Sequence, residues 1–174
     1  YSTCFRALDR AKEEEEVLKI TNTSGRARAL MCEREASVLR SIAHPNIVEL
    51  YAWHAKVDRH DVTVLEFLRG PTLDSMIDAI GAVREPFVRS VAMDLCAALR
   101  HLHRHGVLHR DIKPDNVLLE GVAARDDDSE WPERAVLIDF GFARALSPAD
   151  VDAEISLAAA DGESRALWPP QRGR

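Results

Sequence analysis

The chain has 174 residues, of which 46% are hydrophobic and 30% charged, as in an ordinary globular domain. Its 23 basic and 29 acidic residues give a formal charge of −6, which argues against tight nonspecific binding to nucleic acid, because phosphate contacts need clustered Lys and Arg. No apolar run approaches the roughly 18 residues that a membrane span requires, so the sequence predicts no membrane segment.

Three cysteines, Cys4, Cys32 and Cys96, are spread along the chain without a Cys-x-x-Cys pair. An odd, dispersed set of this kind is typical of reduced thiols in an intracellular protein. We therefore expect an intracellular protein, located in the cytoplasm.

The first part of the chain is predicted to contain strands around one helix. Four segments have strand-like apolar patterns: residues 4–8, 17–20, 47–53 and 62–68. A charged turn at 11–16 separates the first two, and a polar turn at 54–61 separates the last two. Residues 29–43 have helical spacing, and Pro45 ends this helix because the residue before a proline avoids helical conformation. The apolar stripe of the helix consists of Met31, Val38, Leu39 and Ile42.

The second part of the chain is predicted to be mainly helical. The break at 69–71 marks a boundary between two lobes, and residues 72–80 suggest a short helix. The strongest helix follows Pro86 and ends before Gly106, which fits the usual preference for proline at helix starts and glycine past their ends. Its apolar stripe consists of Val88, Val91, Ala92, Leu95, Leu99 and Leu102.

Two short apolar strands, 117–119 and 136–138, are predicted to form a hairpin around an acidic insertion. The charge run at 125–128 is interpreted as a solvated loop, because a metal site needs ligands that converge from fixed elements. Beyond Arg144 the periodicity fades, and residues 145–174 are expected to be irregular.

Two motifs flank this hairpin. The segment 109–116 reads His-Arg-Asp-Ile-Lys-Pro-Asp-Asn, and the segment 139–141 reads Asp-Phe-Gly. Here the chain resembles the eukaryotic protein kinase family, serine/threonine type, whose catalytic loop and metal-binding motif have these sequences in this order. Upstream residues also follow the family order: 17–19, Glu35, 44–48 and 66–68. The resemblance covers nearly all of residues 1–144.

The resemblance implies roles for the residues of these motifs. Asp111 would accept the proton of the substrate hydroxyl and orient that oxygen for in-line attack. Lys113 would steady the γ-phosphate of ATP. Asn116 and Asp139 would bind Mg²⁺ through oxygen ligands, so Asn116 is both a catalytic and a metal-binding candidate. Arg110 would pair with a phosphate on the activation segment, where the candidate sites are Ser147, Ser156 and Ser164.

The helical spacing around Glu35 predicts that it pairs with Lys19. Glu35 lies three and four residues before Val38 and Leu39, on the apolar face, where a carboxylate is costly unless it is paired. Lys19, at the end of an apolar strand, is its natural partner, whereas Glu33 falls on the wetter face. The resemblance implies that Lys19 contacts the α- and β-phosphates while Glu35 holds it. The alternative is an ordinary surface Glu and a strand-end Lys.

The adenine slot follows from the register of the motifs. Val17 and Leu118 would line its two faces and Leu65 would be the gatekeeper. The backbone from Glu66 to Leu68 would hydrogen-bond the base. Core packing alone also explains these apolar residues.

A zinc site is the competing interpretation of four histidines: His101, His103, His105 and His109. The first and third share a helical face. The catalytic loop already uses His109, and no Cys lies close by, so the sequence disfavours zinc.

The sequence departs from the family pattern at both ends. Ser2 stands where the last glycine of the glycine-rich loop would be, and Cys4 stands where valine is usual; the earlier glycines would precede Tyr1. After Arg144 there is no clear Ala-Pro-Glu motif. We therefore expect a kinase fragment, truncated at both ends of the catalytic domain.

Together these observations predict an α+β, protein-kinase-like bilobal fold in one incomplete domain: 1–68 as a small lobe of antiparallel strands plus one helix, 69–144 as the start of a mainly helical large lobe, and 145–174 as an activation-segment-like tail. The expected function is transfer of the γ-phosphate of ATP to Ser or Thr of a protein, with Mg²⁺. The alternatives are a noncatalytic kinase-like scaffolding protein and, less favoured, a small-molecule phosphotransferase of related fold.

Overall fold

A computed structural model describes residues 2–122 and 132–147 of the chain. The predicted acidic loop at 125–128 and most of the irregular tail, with Ser156 and Ser164, lie outside the described residues. The elements follow in chain order: β1 (Ser2–Asp9), β2 (Glu14–Asn22), α1 (Arg26–Ser41), β3 (Leu50–Val57), β4 (His60–Glu66), α2 (Leu73–Ile80), α3 (Glu85–Arg104), β5 (Val107–Leu108), β6 (Val117–Glu120), β7 (Arg134–Leu137) and β8 (Arg144–Ala145).

The first four strands form one antiparallel sheet in the order β1-β2-β4-β3. The predicted β1–β2 hairpin is confirmed, and the β2–β4 register sets Val17 opposite Leu65. The expected strand at 47–53 begins only at Leu50, because Ile47 instead forms an isolated bridge with Leu137 of β7, where the N–H of Val48 donates to the Leu137 carbonyl oxygen at 3.1 Å. The expected turn at 54–61 was also too long. Strand β3 runs on to Val57 and β4 begins at His60. The β3 side chains at 54–57 are exposed, as an edge strand permits, whereas Asp61 in the interior strand β4 is buried.

Helix α1 begins three residues earlier than predicted and buries a slightly different face. Glu35, Val38 and Leu39 are buried, as expected. Met31 is 37% exposed, which corrects the predicted stripe. Cys32 takes the inward position one residue later, since it lies three residues before Glu35 on the same face.

Helices α2 and α3 lie where the sequence predicts them, but α3 is rotated relative to its predicted stripe. The Oγ1 atom of Thr72 caps α2 by accepting a hydrogen bond from the backbone N–H of Ser75 at 3.1 Å. In α3, Phe87 and Ala98 are buried with Val91 and Leu102, whereas Val88 and Ala92 are exposed. Strand β7 packs against α3, and this tertiary contact selects the buried face.

The β6–β7 hairpin links the sheet to the helices. Its two strands pair antiparallel, as predicted, and contribute Leu119 and Leu137 to the core. Gly70 packs directly against it: a Cβ atom there would lie 1.8 Å from the carbonyl oxygen of Leu119, so only glycine fits. The break expected at 69–71 is thus the segment on which the hairpin rests.

In the part of the chain that the structure describes, no helix combines the length and apolarity that crossing a membrane would demand.

Candidate active site

A cavity of about 710 Å³ lies between the four-stranded sheet, helix α1 and the β6–β7 hairpin. This volume falls within the range of small-molecule sites. Most of the residues that the sequence predicted for nucleotide and metal binding line it: Val17, Lys19, Glu35, Leu65, Glu66, Leu68, Asn116, Leu118 and Asp139. The chain therefore folds these scattered positions around one space.

Lys19 forms two ion pairs at the inner end of the cavity. Its Nζ donates to Oε1 of Glu35 at 2.7 Å and to Oδ1 of Asp139 at 2.9 Å. Glu35 is only 4% exposed, whereas Glu33 is exposed, as the helical spacing predicted. The ammonium group of Lys19 in β2 thus contacts α1 and the segment after β7. Glu35 lies 16 residues and Asp139 lies 120 residues from Lys19 in the sequence.

The electrostatics keep Lys19 and Asp139 charged at neutral pH. Burial by itself would lower the pKa of Lys19, but the carboxylates of Glu35 and Asp139 outweigh it and raise that pKa. Burial would raise the pKa of Asp139, but the Lys19 ammonium outweighs it and holds that pKa below its usual value. A fixed positive charge therefore faces a cavity of a size suited to a nucleotide.

The catalytic-loop residues form a second, adjoining cluster. Asn116 is 5% exposed, and its Nδ2 donates to both the carbonyl oxygen and Oδ2 of Asp111, each at 2.8 Å. The Nζ of Lys113 lies 3.2 Å from the same Oδ2. Asp111 and Lys113 do not line the cavity themselves, so Asn116 is the residue that joins the two clusters.

Two residues of the motifs hold left-handed backbone conformations. Arg110 has φ of 66° and Asp139 has φ of 59°, in a region that non-glycine residues rarely adopt. The Nε of Arg110 donates to the carbonyl oxygen of Phe142 at 2.8 Å, and the N–H of Gly141 donates to Oδ1 of Asp139 at 3.3 Å. The first contact ties the catalytic loop to the residue that follows the Asp-Phe-Gly motif, and the second lies within that motif.

His109 is a buried support between the motifs. Its ring packs edge-on against Phe140 with 4.7 Å between centroids. Its Nδ1 accepts from the N–H of Asp111, and its Nε2 lies 3.3 Å from the carbonyl oxygen of Ile138, which it can reach only as a donor. Burial lowers the pKa of His109, and the neutral ring satisfies both contacts.

The other end of the cavity is apolar. Leu65 is 9% exposed, and Val17 and Leu118 are partly buried against the core. Residues 66–68, which we call the hinge segment, form its rim. The N–H of Glu66 donates to the carbonyl oxygen of Glu49 at 3.0 Å, so this donor is not available to a ligand.

The sequence argument missed several residues of the cavity. Cys4 lies opposite Lys19 across the β1–β2 ladder, and Cys32 lies one helical turn before Glu35. Cross-strand register and i, i+3 spacing around the known pair would have found both. Phe67 lies within the range 66–68 that was predicted for its backbone alone, whereas nothing in the local sequence indicated Thr21 or Phe142.

The histidines do not form a zinc site. Among residues 2–122 and 132–147, no group of three or more His, Cys, Asp or Glu is arranged to hold a metal. The rings of His44, His101 and His105 instead pack against one another in tilted orientations, with centroids 5.0 and 4.3 Å apart. The Nε2 of His101 is buried and has no hydrogen-bond partner among the residues that the structure describes.

A second cavity of about 480 Å³ lies between α1, the catalytic loop and β8. Three arginines, Arg34, Arg110 and Arg144, line it together with Ser37. Such a concentration of guanidinium groups suits a phosphate. Of these three arginines, Arg110 alone was predicted from the sequence to bind a phosphate.

Comparison with known proteins decides the family. A model of the protein kinase domain matches residues 1–157. The chain belongs to the protein kinase family. It is 31% identical over 148 residues to human serine/threonine-protein kinase ULK1 and 37% identical over 116 residues to serine/threonine-protein kinase 36 of Pongo abelii.

These alignments cover 84% and 66% of the kinase chain but only 14% and 8% of the two relatives. The chain is also 42% identical over 89 residues to CBL-interacting serine/threonine-protein kinase 16 of Arabidopsis thaliana, which covers 51% of the chain and 19% of that relative. The chain thus spans less than a fifth of the length of each. The antiparallel sheet with its helices is the protein-kinase-like bilobal fold, present in part.

Proposed function

We propose that this kinase domain transfers the γ-phosphate of ATP to serine or threonine of a protein. The observation that carries the proposal is the placement of Lys19, paired with Glu35 and Asp139, at the inner end of a 710 Å³ cavity. Phosphoryl transfer needs positioning and charge neutralisation more than covalent chemistry, and this arrangement offers both. The relatives' names support serine and threonine as acceptors.

ATP fits the cavity in one orientation. The apolar end, with Val17, Leu65 and Leu118, suits the adenine ring, and the backbone of Leu68 at the hinge segment suits its polar edge. Lys19 lies at the other end, where it would contact the α- and β-phosphates. Glu35 then acts by holding the ammonium group in place.

Mg²⁺ fits the oxygen groups of Asp139 and Asn116. Both residues line the cavity, and the Asp139 side chain is 43% exposed, with its Oδ1 engaged by Lys19 and the Gly141 N–H. Hard oxygen donors of this kind are the ligands that magnesium prefers. When bound there, the ion would neutralise charge on the phosphates.

Asp111 is the proposed base for the acceptor hydroxyl. Asn116 and Lys113 orient its carboxylate, which lies beside the cavity rather than in it, as a group that contacts the second substrate should. Lys113 is near enough to the same oxygen to steady the transferred phosphate.

The location and lobe boundaries belong to the same proposal. Cys4, Cys32 and Cys96 are free thiols, which suits a reducing cytoplasm. We assign residues 1–68 to the small lobe and 69–144 to the start of the large lobe, with the hinge segment between sheet and helices. Proteins carrying Ser or Thr are the expected partners.

Turnover and nucleotide binding of the full-length protein, measured separately, test this mechanism. Asp111→Asn should lower kcat at least a hundredfold with little change in ATP affinity, because Asp111 acts on the hydroxyl. Asp139→Asn should instead weaken magnesium-dependent nucleotide binding. Near-normal turnover of Asp111→Asn would contradict the mechanism, and thermal stabilisation by Mg-ATP without any turnover would favour the noncatalytic alternative.

A further inference from the structure

A single arginine connects the hinge segment to the β6–β7 hairpin. Arg134 begins β7, and its guanidinium group donates to the carboxylates of Glu66 and Glu120 and, at 2.6 Å, to the carbonyl oxygen of Pro45. These acceptors belong to three separate segments of the chain. Lysine has no planar fork and could not reach all three at once.

The carboxylate of Glu66 is held on both sides. One oxygen, Oε1, accepts from Arg134, and the other, Oε2, accepts from the backbone N–H of Glu49 at 3.1 Å. The Glu66 side chain is 15% exposed and that of Arg134 is 27% exposed, so water screens their interaction only partly. Glu66 is the first residue of the hinge segment, so its fixed side chain restricts the backbone that follows.

The hairpin that carries Arg134 is itself anchored. The N–H of Gly121 donates to the carbonyl oxygen of Arg69 at 3.0 Å, and that of Leu119 donates to the carbonyl oxygen of Pro71 at 2.9 Å. On its other strand, the N–H of Leu137 donates to the carbonyl oxygen of Asn46 at 2.9 Å. Arg134 therefore projects from a hairpin that backbone hydrogen bonds hold against both 69–71 and Asn46.

Another set of contacts near the hinge segment is more exposed to solvent. Arg69 pairs with Glu15 and lies over the ring of Phe67, with 5.8 Å to the centroid. Its side chain is 73% exposed, so the pair contributes little. The Arg134–Glu66 contact is the better shielded of the two.

We infer that Arg134 is a positioning residue for the nucleotide, which holds Glu66 and thereby fixes the hinge backbone that receives the adenine base. The inference rests on the proposed function for its ligand. Arg134 governs recognition of the base. It leaves recognition of the phosphates unchanged, because Lys19 binds them at the other end of the cavity. A residue with a general stabilising role would affect both.

Two partial ligands separate these contributions in the full-length protein. Adenosine supplies the base without phosphates, and inorganic triphosphate with Mg²⁺ supplies phosphates without the base. Arg134→Met should raise the Kd of adenosine about tenfold and leave that of triphosphate within twofold. In turnover it should raise KM for ATP about tenfold and change kcat less than twofold. Arg134→Lys should fall between Arg134→Met and the wild type.

Glu120→Gln is the matched control, because it removes a partner of the same guanidinium group that lies outside the hinge segment. It should leave the Kd of adenosine within twofold. An equal effect of Glu120→Gln and Arg134→Met, or equal weakening of both partial ligands by Arg134→Met, would overturn the inference. Either result would show that the arginine only stabilises the hairpin.

Hydrogen exchange in the absence of nucleotide supplies a readout that does not depend on kinase activity. Arg134→Met should speed amide exchange in residues 66–69 at least tenfold and leave residues 87–95 of α3 unchanged. A wild-type protein that binds no adenosine would contradict the proposed function together with this inference. Wild-type binding with unchanged variants and unchanged exchange would reject the inference alone.

Discussion

Replacing Lys19 with methionine should remove both ion pairs of the site while keeping an unbranched chain of similar length. At an effective dielectric constant of about 20, unit charges separated like the 2.7 Å pair with Glu35 attract by roughly 6 kcal/mol before desolvation is counted. Desolvation offsets part of this attraction, and breaking a buried pair costs about 3–5 kcal/mol. The pair with Asp139 adds less, because that side chain is 43% exposed.

Two glutamate substitutions provide comparisons for the stability that Lys19→Met loses. Glu35→Gln leaves Lys19 paired with Asp139 at 2.9 Å, so it should cost about 1.5–3 kcal/mol, the range for a hydrogen bond to a charged group. Glu33→Gln, on the exposed face of the same helix, should change the free energy of unfolding by less than about 0.5 kcal/mol. The rate of phosphoryl transfer should follow the same order: nearly abolished in Lys19→Met, substantially reduced in Glu35→Gln and unchanged in Glu33→Gln.

Pulse proteolysis of the full-length protein in a urea series measures these losses in the free energy of unfolding. Quantifying peptides from residues 14–22 restricts the measurement to unfolding of the kinase domain. The measurement belongs near pH 7. Since the pKa of Lys19 is raised, its stabilisation is complete below its unfolded pKa of about 10.5 and is lost only as pH rises through the folded value. The pKa of Asp139 is lowered, so its share is lost only in acid. Equal effects of Glu35→Gln and Glu33→Gln would refute the helical-face argument.

Two further substitutions test other parts of the structure. Burial lowers the pKa of His44 and His101, so stability should fall as pH drops below about 6.5. His101→Phe should make that fall shallower between pH 7 and 5, and an unchanged slope would contradict this role of the buried His101 ring. Val88 and Met93 are 50% and 68% exposed on α3, so the 174-residue chain expressed alone should self-associate. Met93→Glu should reduce the association seen by sedimentation velocity, and equal association of both proteins would reject this.

Short-range patterns in the sequence determine much of this protein. Thr72 caps α2 because its hydroxyl can reach an N–H three residues on, and Glu35 faces inward because the helical period places it with Val38 and Leu39. The β1–β2 hairpin follows from two short apolar segments, 4–8 and 17–20, on either side of a charged turn. Each of these features depends on groups only a few residues apart, so the order of side chains is enough to predict it.

Contacts between distant segments required the tertiary structure. An amphipathic helix permits more than one apolar face, and only packing against β7 selects Phe87 and Ala98 over Val88 and Ala92 in α3.

The same holds for the site and for the hinge segment. The pairing of Lys19 with Asp139 spans 120 residues, and that of Arg134 with Glu66 spans 68. No local period relates such positions, because their distance depends on how every intervening element folds back. The residue types at the site were therefore predictable from motifs, whereas the support that holds the hinge segment was visible only in three dimensions.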